Sequence, residues 1–225
     1  MLISDTQKFI FIHNPKCAGT TIRQSLMEFD SRSNFYWEFA EIDGLKIDKA
    51  HMPQQIFRRF RPDDFALLKN YFTFGFVRNP YRRFISAFNE THQAIYRQSK
   101  ENDENLKQYL EKISTFAVQL DKKQLNGYNL KYRHCVLQSD MFIFAGKCNA
   151  DLILKLEDLG AETEKLALFN PAIYENSRGW LQPKNTKPME LTAEQALSPK
   201  AIETIKSVYA DDFLLFNYDT DNLAV

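Results

Sequence analysis

Two short segments of the chain combine residue types that suit the binding of anionic groups. The first, residues 15–21, places Lys16 before small residues and two hydroxyl side chains, Thr20 and Thr21. Small residues allow backbone N–H groups to approach a phosphate oxygen, and a lysine adds a mobile cation beside it. This segment therefore predicts a pocket for a phosphate-like group.

The second segment places an arginine at the end of an apolar run. Arg78 follows residues 72–77 and precedes Asn79 and Pro80, and Ser86 lies about two helical turns further on. A guanidinium can hold a phosphate through two parallel hydrogen bonds. The two segments together predict a site with two anion pockets, which suits a nucleotide phosphorylated at two positions of its ribose.

Secondary structure must bring these two segments to one place. Residues 9–13 and 72–78 are nearly all apolar, as in parallel strands covered on both faces. A helix is predicted over residues 20–29, and another after Asn79 as its cap with Pro80 at its first position. The alternation of strand, turn and helix predicts an α/β fold with a doubly wound parallel sheet flanked by helices.

The rest of the chain is interpreted more coarsely. Residues 30–50 are expected to be irregular, residues 174–189 to form a loop, and Ser198 with Pro199 to open the last helix. Two further strands are predicted over residues 141–145 and 152–156. The polar residues 92–132 predict a helical insertion or cap, and the whole chain, residues 1–225, is expected to form a single domain.

Composition excludes several classes of protein. The 29 lysines and arginines equal the 29 aspartates and glutamates, so nucleic acid is not expected as the main partner. Nothing approaches a run of about 18 apolar residues, and the N-terminus lacks a signal-peptide pattern, which predicts no membrane span and no export. The three cysteines have no paired spacing, which favours a cytoplasmic protein without disulfides or a metal site.

Alternative functions remain open at this point. Residues 15–21 lack the two glycines of a Walker A loop, so ATP or GTP hydrolysis is disfavoured. Cys17 to Arg23 fits the C-x5-R loop of cysteine-dependent phosphatases, in which a thiolate attacks phosphorus. However, Gln24 replaces the usual serine or threonine, and no Asp-Pro pair is present to supply the general acid. A non-catalytic nucleotide-binding module and a plain scaffold are further alternatives.

The two segments together resemble a known family. Residues 15–21 resemble the 5′-phosphosulfate loop of sulfotransferases, and the pattern from Arg78 to Ser86 resembles their 3′-phosphate motif. The closest likeness is to the carbohydrate branch, which includes heparan and chondroitin sulfotransferases and short bacterial members. His134 with Gln138, residues 153–159 and the tail 205–218 also agree, so the resemblance spans most of the chain.

The resemblance implies a fold like that of P-loop kinases and a donor, 3′-phosphoadenosine 5′-phosphosulfate (PAPS), whose product is 3′-phosphoadenosine 5′-phosphate. The acceptor would be a hydroxyl group, as on a carbohydrate or glycoconjugate. No metal is required in principle. The resemblance places these residues around the donor: Lys16, Cys17 (through its backbone N–H), Ala18, Gly19, Thr20, Thr21, Arg78, Ser86, Lys184, Asn185 and Thr186.

Transfer to a hydroxyl group also needs a base, and histidine is the natural candidate. His51 precedes Met52 and Pro53 and resembles the family segment that carries the base, although Ala50 replaces its glycine. His51 is therefore predicted as the catalytic base, with His134 as the second candidate. His134 and Gln138 are predicted on the acceptor side. Of the other two histidines, His13 ends a strand and His92 lies on a predicted helix.

Overall fold

A computed structural model of the chain describes residues 1–42, 44–180 and 191–224. These residues form a mixed α/β structure. They divide into two compact units: residues 1–78 with the described part of 126–186, and residues 79–125 with the described part of 187–225. Within the described residues, no helix combines the length and the apolar character needed to cross a bilayer.

The described residues contain strands, α-helices and short 3₁₀-helices. The strands are β1 Leu2–Ser4, β2 Phe9–Ile12, β3 Phe39–Ile42, β4 Leu45–Asp48, β5 Phe72–Val77, β6 Ile143–Phe144, β7 Lys147–Cys148 and β8 Leu152–Lys155. The α-helices are α1 Gly19–Ser25, α2 Gln54–Phe60, α3 Pro62–Ala66, α4 Pro80–Thr91, α5 Gln93–Gln98, α6 Asp103–Val118, α7 Gln138–Phe142, α8 Leu159–Glu164, α9 Pro171–Ser177, α10 Ala193–Ala196, α11 Pro199–Val208 and α12 Ala210–Leu215. The 3₁₀-helices are Met27–Phe29, Phe35–Trp37, Lys49–His51, Leu67–Lys69, Lys122–Gln124, Leu130–Tyr132, Leu156–Asp158 and Lys165–Leu168.

A four-stranded sheet forms the centre of the first unit, in the order β1-β2-β5-β8. Strands β2, β5 and β8 are parallel, and β1 pairs antiparallel with β2. Because parallel strands end at the same edge of a sheet, the residues that follow β2 and β5 lie side by side. Both predicted anion-binding segments begin at this edge.

The sheet of the first unit is covered on both faces, which explains why β2 and β5 are nearly all apolar. On one face Phe11, Phe74 and Phe76 pack with Ile22 of α1 and Ile173 of α9. On the other face α7 approaches β5 closely. A Cβ atom added at Gly75 would lie 2.6 Å from the ring of Phe142, so only a glycine permits this approach.

The second unit begins with α4, whose start was predicted correctly. The side chain of Asn79 accepts hydrogen bonds from the backbone N–H groups of Tyr81 and Arg82, and Pro80 is the first helical residue. The predicted apolar stripe of α4 is buried; its members are Tyr81, Phe84, Ile85 and Phe88. In the same unit the buried Arg83 pairs with Asp212 of α12 at 3.9 Å.

One prediction that fails is the irregular segment 30–50. Residues Phe39–Ile42 and Leu45–Asp48 pair as an antiparallel hairpin. The sequence contains the dipeptide Asp43-Gly44, which is a hairpin signal, and Gly44 has a φ of 74°, which glycine adopts without strain. The charged residues in these short strands hide the alternation that would otherwise have indicated them.

Several predicted boundaries also need correction. The strand predicted over 141–145 is helical through Phe142, and only Ile143 and Phe144 form a strand. A short apolar run does not distinguish a buried helix end from a strand.

The helix predicted over 20–29 ends at Ser25 and is followed by the 3₁₀-helix Met27–Phe29. The loop predicted over 174–189 is helical through Ser177, and its residues 181–189 lie outside the described part of the chain. The helix that Ser198 and Pro199 open is not the last, since α12 follows it.

Candidate active site

The turn between β2 and α1 has an unusual backbone. Lys16 and Ala18 both adopt left-handed conformations, with φ of 63° and 56°. Such values are costly for residues other than glycine, so the surrounding structure must hold them. The left-handed Ala18 precedes the helical Gly19, and this alternation turns successive N–H groups toward one point. The turn therefore has a backbone shape that can accept an anion.

Gly19 is required because the ring of His13 lies against it. A Cβ atom added at Gly19 would lie 1.8 Å from Cδ2 of His13. His13 is itself buried, and its ring stacks on that of Trp37 at 5.6 Å. The position of the turn is thus fixed by a close contact between its glycine and a buried imidazole.

Replacing Gly19 by alanine should displace either His13 or the turn itself. We expect the free energy of unfolding to fall by about 1–3 kcal/mol, because the core around His13 is already filled. Chemical denaturation measures this loss. Gly179→Ala is the matched control, because a Cβ atom there would meet only Asn176 O at 3.6 Å. Equal stability of the two variants would contradict the contact.

Three of the four histidines lie together in the first unit. His51 ends the 3₁₀-helix that follows β4, and its ring centroid lies 4.4 Å from that of His13 and 5.3 Å from that of His134. His92 belongs to the second unit, where its ring stacks on Phe88 at 4.2 Å. The structure thus brings His51 and His134, the two predicted base candidates, into one cluster.

The tautomer of His51 follows from its surroundings. Its Nδ1 lies 3.2 Å from the carbonyl oxygen of His13. Because a carbonyl oxygen can only accept, Nδ1 carries the proton and donates it, which leaves the lone pair on Nε2. A group that must take a proton from a hydroxyl needs this arrangement.

Burial keeps the histidines of this cluster neutral. It lowers the pKa of His51 and of His134 to about 3 each, and it lowers the pKa of His13 well below its usual value. The positive charge of Lys16 lowers the pKa of both His51 and His134 further. Lys16 follows His13 by three residues, so its cation belongs to the turn against which this cluster of neutral imidazoles packs.

Arg78 follows β5 and contacts the turn that carries Lys16. Its guanidinium Nη1 lies 3.4 Å from the carbonyl oxygen of Lys16, to which it donates a hydrogen bond. Its backbone N–H donates to Oε1 of Gln138, and its carbonyl oxygen accepts from Nε2 of the same amide, each at 2.9 Å. The two segments singled out in the sequence are therefore in direct contact.

Gln138, which is predicted on the acceptor side, lies beside the backbone of Arg78. The side chain is fully buried, and its amide is bonded to the backbone of Arg78. Its role on the acceptor side stays a prediction.

The remaining predicted site residues are distributed as follows. Thr20 is exposed, and Thr21 is half-buried, at the start of α1. Ser86 is half-buried on α4 in the second unit. Lys184, Asn185 and Thr186 lie outside the described residues.

The phosphatase alternative finds no support in the geometry. The thiol of Cys17 is buried, and its sulfur lies 3.5 Å from both Pro15 O and Gln138 Oε1, either of which can accept its one hydrogen. Nη2 of Arg23, the arginine of the C-x5-R pattern, donates to Asn34 Oδ1 at 2.7 Å and lies 3.5 Å from Asp30 Oδ2. An arginine engaged in this way does not bind a phosphoryl group beside the thiol.

Among the described residues, Asp48, His51 and His134 are the group whose side chains could hold a metal ion, with ligand atoms within 4.8 Å of one another. Tetrahedral zinc with bonds of about 2.0–2.1 Å needs ligand atoms about 3.4 Å apart. Arg133 lies 3.5 Å from Asp48, and the charge of Lys16 also reaches the two histidines. These positive charges oppose a bound cation, so the group suits proton transfer better than metal binding.

No sequence pattern indicated Asp48 or Arg133 as a site residue, and only a weak one indicated His13. Each of these three residues contacts another member of the cluster that is far from it in the sequence. His13 meets His51 across 38 positions. Only a search for polar residues that follow buried strands would have indicated His13 in advance.

Comparison with known families assigns the chain to one of them. Residues 1–219 match the model of the sulfotransferase family, and the chain therefore belongs to that family. Searches of curated proteins and of solved structures gave no significant match. The fold, a central sheet with parallel strands flanked by helices, is consistent with a sulfotransferase. The protein is thus a transferase of the class that moves sulfuryl groups.

Proposed function

We propose that this sulfotransferase moves a sulfuryl group from PAPS to a hydroxyl group of a carbohydrate or glycoconjugate, with His51 as general base. The observation that carries the proposal is a pair of contacts: the ring of His51 lies 4.4 Å from that of His13, and His13 lies against Gly19 in the turn that carries Lys16. A cation for the leaving oxygen and a base for the acceptor are the two groups that such a transfer needs.

The donor is proposed to bind at the sheet edge where β2 and β5 end. Lys16 and the turn from Cys17 to Thr21 would hold the 5′-phosphosulfate through the lysine, backbone N–H groups and hydroxyls. Arg78, which lies against this turn, would hold the 3′-phosphate. Ser86 and residues 184–186 are assigned to the donor through the sequence resemblance alone. The same resemblance leads us to propose that the sheet is doubly wound, as in P-loop kinases.

The transfer is proposed to run in line between two oxygens. As the bond from sulfur to the phosphate oxygen breaks, negative charge grows on that oxygen and Lys16 stabilises it. The acceptor oxygen bonds to sulfur and releases its proton to Nε2 of His51, whose Nδ1–H stays bonded to the carbonyl of His13. The products are a sulfated acceptor and 3′-phosphoadenosine 5′-phosphate. No metal takes part in this proposal.

Binding of the donor should strengthen the base. In the free protein, burial and the charge of Lys16 hold the pKa of His51 low. A bound phosphosulfate is anionic, so it offsets the lysine and raises the pKa of the nearby imidazole. His51 would then accept a proton more readily once the donor is in place.

The cellular location is proposed from cysteine chemistry. Cys17, Cys135 and Cys148 are free cysteines, and the first two are buried. Reduced cysteines suit the cytoplasm, where thiols are kept in that state.

The direct test of the proposed function is a transfer assay with PAPS carrying radioactive sulfate. Sugars, glycolipids and small phenols serve as three classes of acceptor. We expect label on a carbohydrate hydroxyl and release of 3′-phosphoadenosine 5′-phosphate in equal amount. Transfer to phenols alone would contradict the acceptor class. Tight nucleotide binding without transfer to any acceptor would favour the non-catalytic binding module.

The variant Cys17→Ser separates the proposal from the phosphatase alternative. A hydroxyl group can donate its hydrogen to Pro15 O or to Gln138 Oε1 as the thiol can, so we expect most of the transferase activity to remain. Steady-state rates with PAPS measure this. A cysteine-dependent phosphatase would instead lose its nucleophile and with it all turnover.

A further inference from the structure

A single buried amide connects the two proposed anion-binding segments. Gln138 is the first residue of α7 and is fully buried. Its Oε1 accepts from the N–H of Arg78, and its Nε2 donates to the carbonyl of Arg78, each at 2.9 Å. The side chain thus pairs with Arg78 as a neighbouring strand would, immediately after β5 ends. Two bonds in opposite directions fix both the position and the orientation of this peptide.

The same amide oxygen also holds the turn that follows β2. Nδ2 of Asn14 donates to Gln138 Oε1 at 3.0 Å and to the carbonyl of Phe76 at 2.9 Å. The thiol of Cys17, between the two left-handed residues Lys16 and Ala18, donates to the same oxygen at 3.5 Å. All these groups are buried, so water does not compete for the bonds.

We propose that Gln138 is a positioning residue that sets the separation between the Lys16 turn and Arg78. It does not touch the nucleotide; it acts through the backbone of Arg78 and through Asn14 and Cys17. The inference rests on the proposed function, since the separation matters only if one ligand spans both segments. Such a ligand carries two anionic groups on a common nucleoside, as 3′-phosphoadenosine 5′-phosphate does.

The variant Gln138→Glu tests this through pH. A protonated carboxyl group has the shape of the amide, donates to the carbonyl of Arg78 and accepts as Oε1 does. An ionised carboxylate cannot donate, and its burial is unfavourable. At about pH 8 we expect the Kd for 3′-phosphoadenosine 5′-phosphate to rise about tenfold or more relative to wild type at the same pH. At about pH 5.5 the difference should largely disappear, because burial raises the pKa of such a carboxyl group.

Gln54 provides a matched control. It is also buried, is the first residue of α2, donates to Met141 O at 3.0 Å and accepts from Asn149 at 3.3 Å. It contacts neither anion segment through these bonds. Gln54→Glu should therefore destabilise the fold but leave the Kd of the nucleotide close to that of wild type.

A second variant, Gln138→Met, removes all the amide bonds without adding a charge, so it serves if Gln138→Glu fails to fold at high pH. Near-ultraviolet circular dichroism identifies the folded samples. A folded Gln138→Met protein that binds the nucleotide as tightly as wild type would overturn the inference. Equal losses of nucleotide affinity in Gln54→Glu and Gln138→Glu would overturn it too. Failure of wild type itself to bind the nucleotide would overturn the proposed function instead.

Discussion

Replacing Lys16 by alanine lowers kcat for sulfuryl transfer by about a hundredfold or more. The lysine is proposed to stabilise charge that exists on the leaving oxygen only in the transition state, so its loss should reduce kcat more than it raises KM. Steady-state kinetics with labelled PAPS measure both quantities. Lys16 is half-buried in a turn that other contacts hold, so the variant should remain folded.

Lys8→Ala is the matched control for this variant. Lys8 precedes β2 as Lys16 follows it, and it also has a left-handed backbone, with φ of 53°. Both substitutions therefore remove one positive charge and place alanine at a left-handed position, one before β2 and one after it. Only the Lys16 variant should lose activity. Equal losses would mean that Lys16 acts through stability and not through the leaving oxygen.

Replacing His51 by alanine removes turnover but preserves binding of 3′-phosphoadenosine 5′-phosphate. The side chain is proposed to take a proton from the acceptor, a step that nucleotide binding does not involve. Calorimetry gives the Kd of the nucleotide, and the transfer assay gives kcat. Loss of binding together with activity would make His51 structural. Turnover that survives in His51→Ala but not in His134→Ala would identify His134 as the base.

The pH dependence of the wild-type rate adds a second readout for His51. The base must be neutral, so the rate is present above its pKa and is lost as the pH falls through that value. In the free protein this pKa is about 3, which predicts a flat kcat/KM from neutral pH down to mild acid. The acid limb of kcat should lie at higher pH, because the bound anions raise the pKa in the complex. If the acid limbs of kcat and kcat/KM lay at the same pH, the bound donor would not raise the pKa of His51, and this prediction would be wrong.

Local features of the site could be predicted from the sequence because neighbouring residues determine them. Asn79 and Pro80 determine the start of α4 through a cap and a fixed φ, and the apolar run before Arg78 indicates β5. The sheet edge then follows from the parallel order of β2 and β5. The spacing and types of neighbouring residues are therefore enough to indicate these elements.

Other features depend on contacts that no local pattern encodes. Gln138 meets Arg78 across 60 positions, and the family resemblance that singled out Gln138 did not indicate this partner. The left-handed backbones of Lys16 and Ala18 oppose the intrinsic preferences of these residues, so only the surrounding structure can impose them. The close packing of Phe142, the last residue of α7, against Gly75 is likewise a contact that the apolar run alone did not reveal.

The central claim is that one nucleotide engages both the Lys16 turn and Arg78. Calorimetry of 3′-phosphoadenosine 5′-phosphate against adenosine 5′-phosphate, in wild type and in Arg78→Ala, tests it most directly. We predict that wild type binds the bisphosphate about tenfold tighter or more, and that Arg78→Ala abolishes this preference while binding the monophosphate as before. Equal affinity of wild type for the two nucleotides would contradict the account.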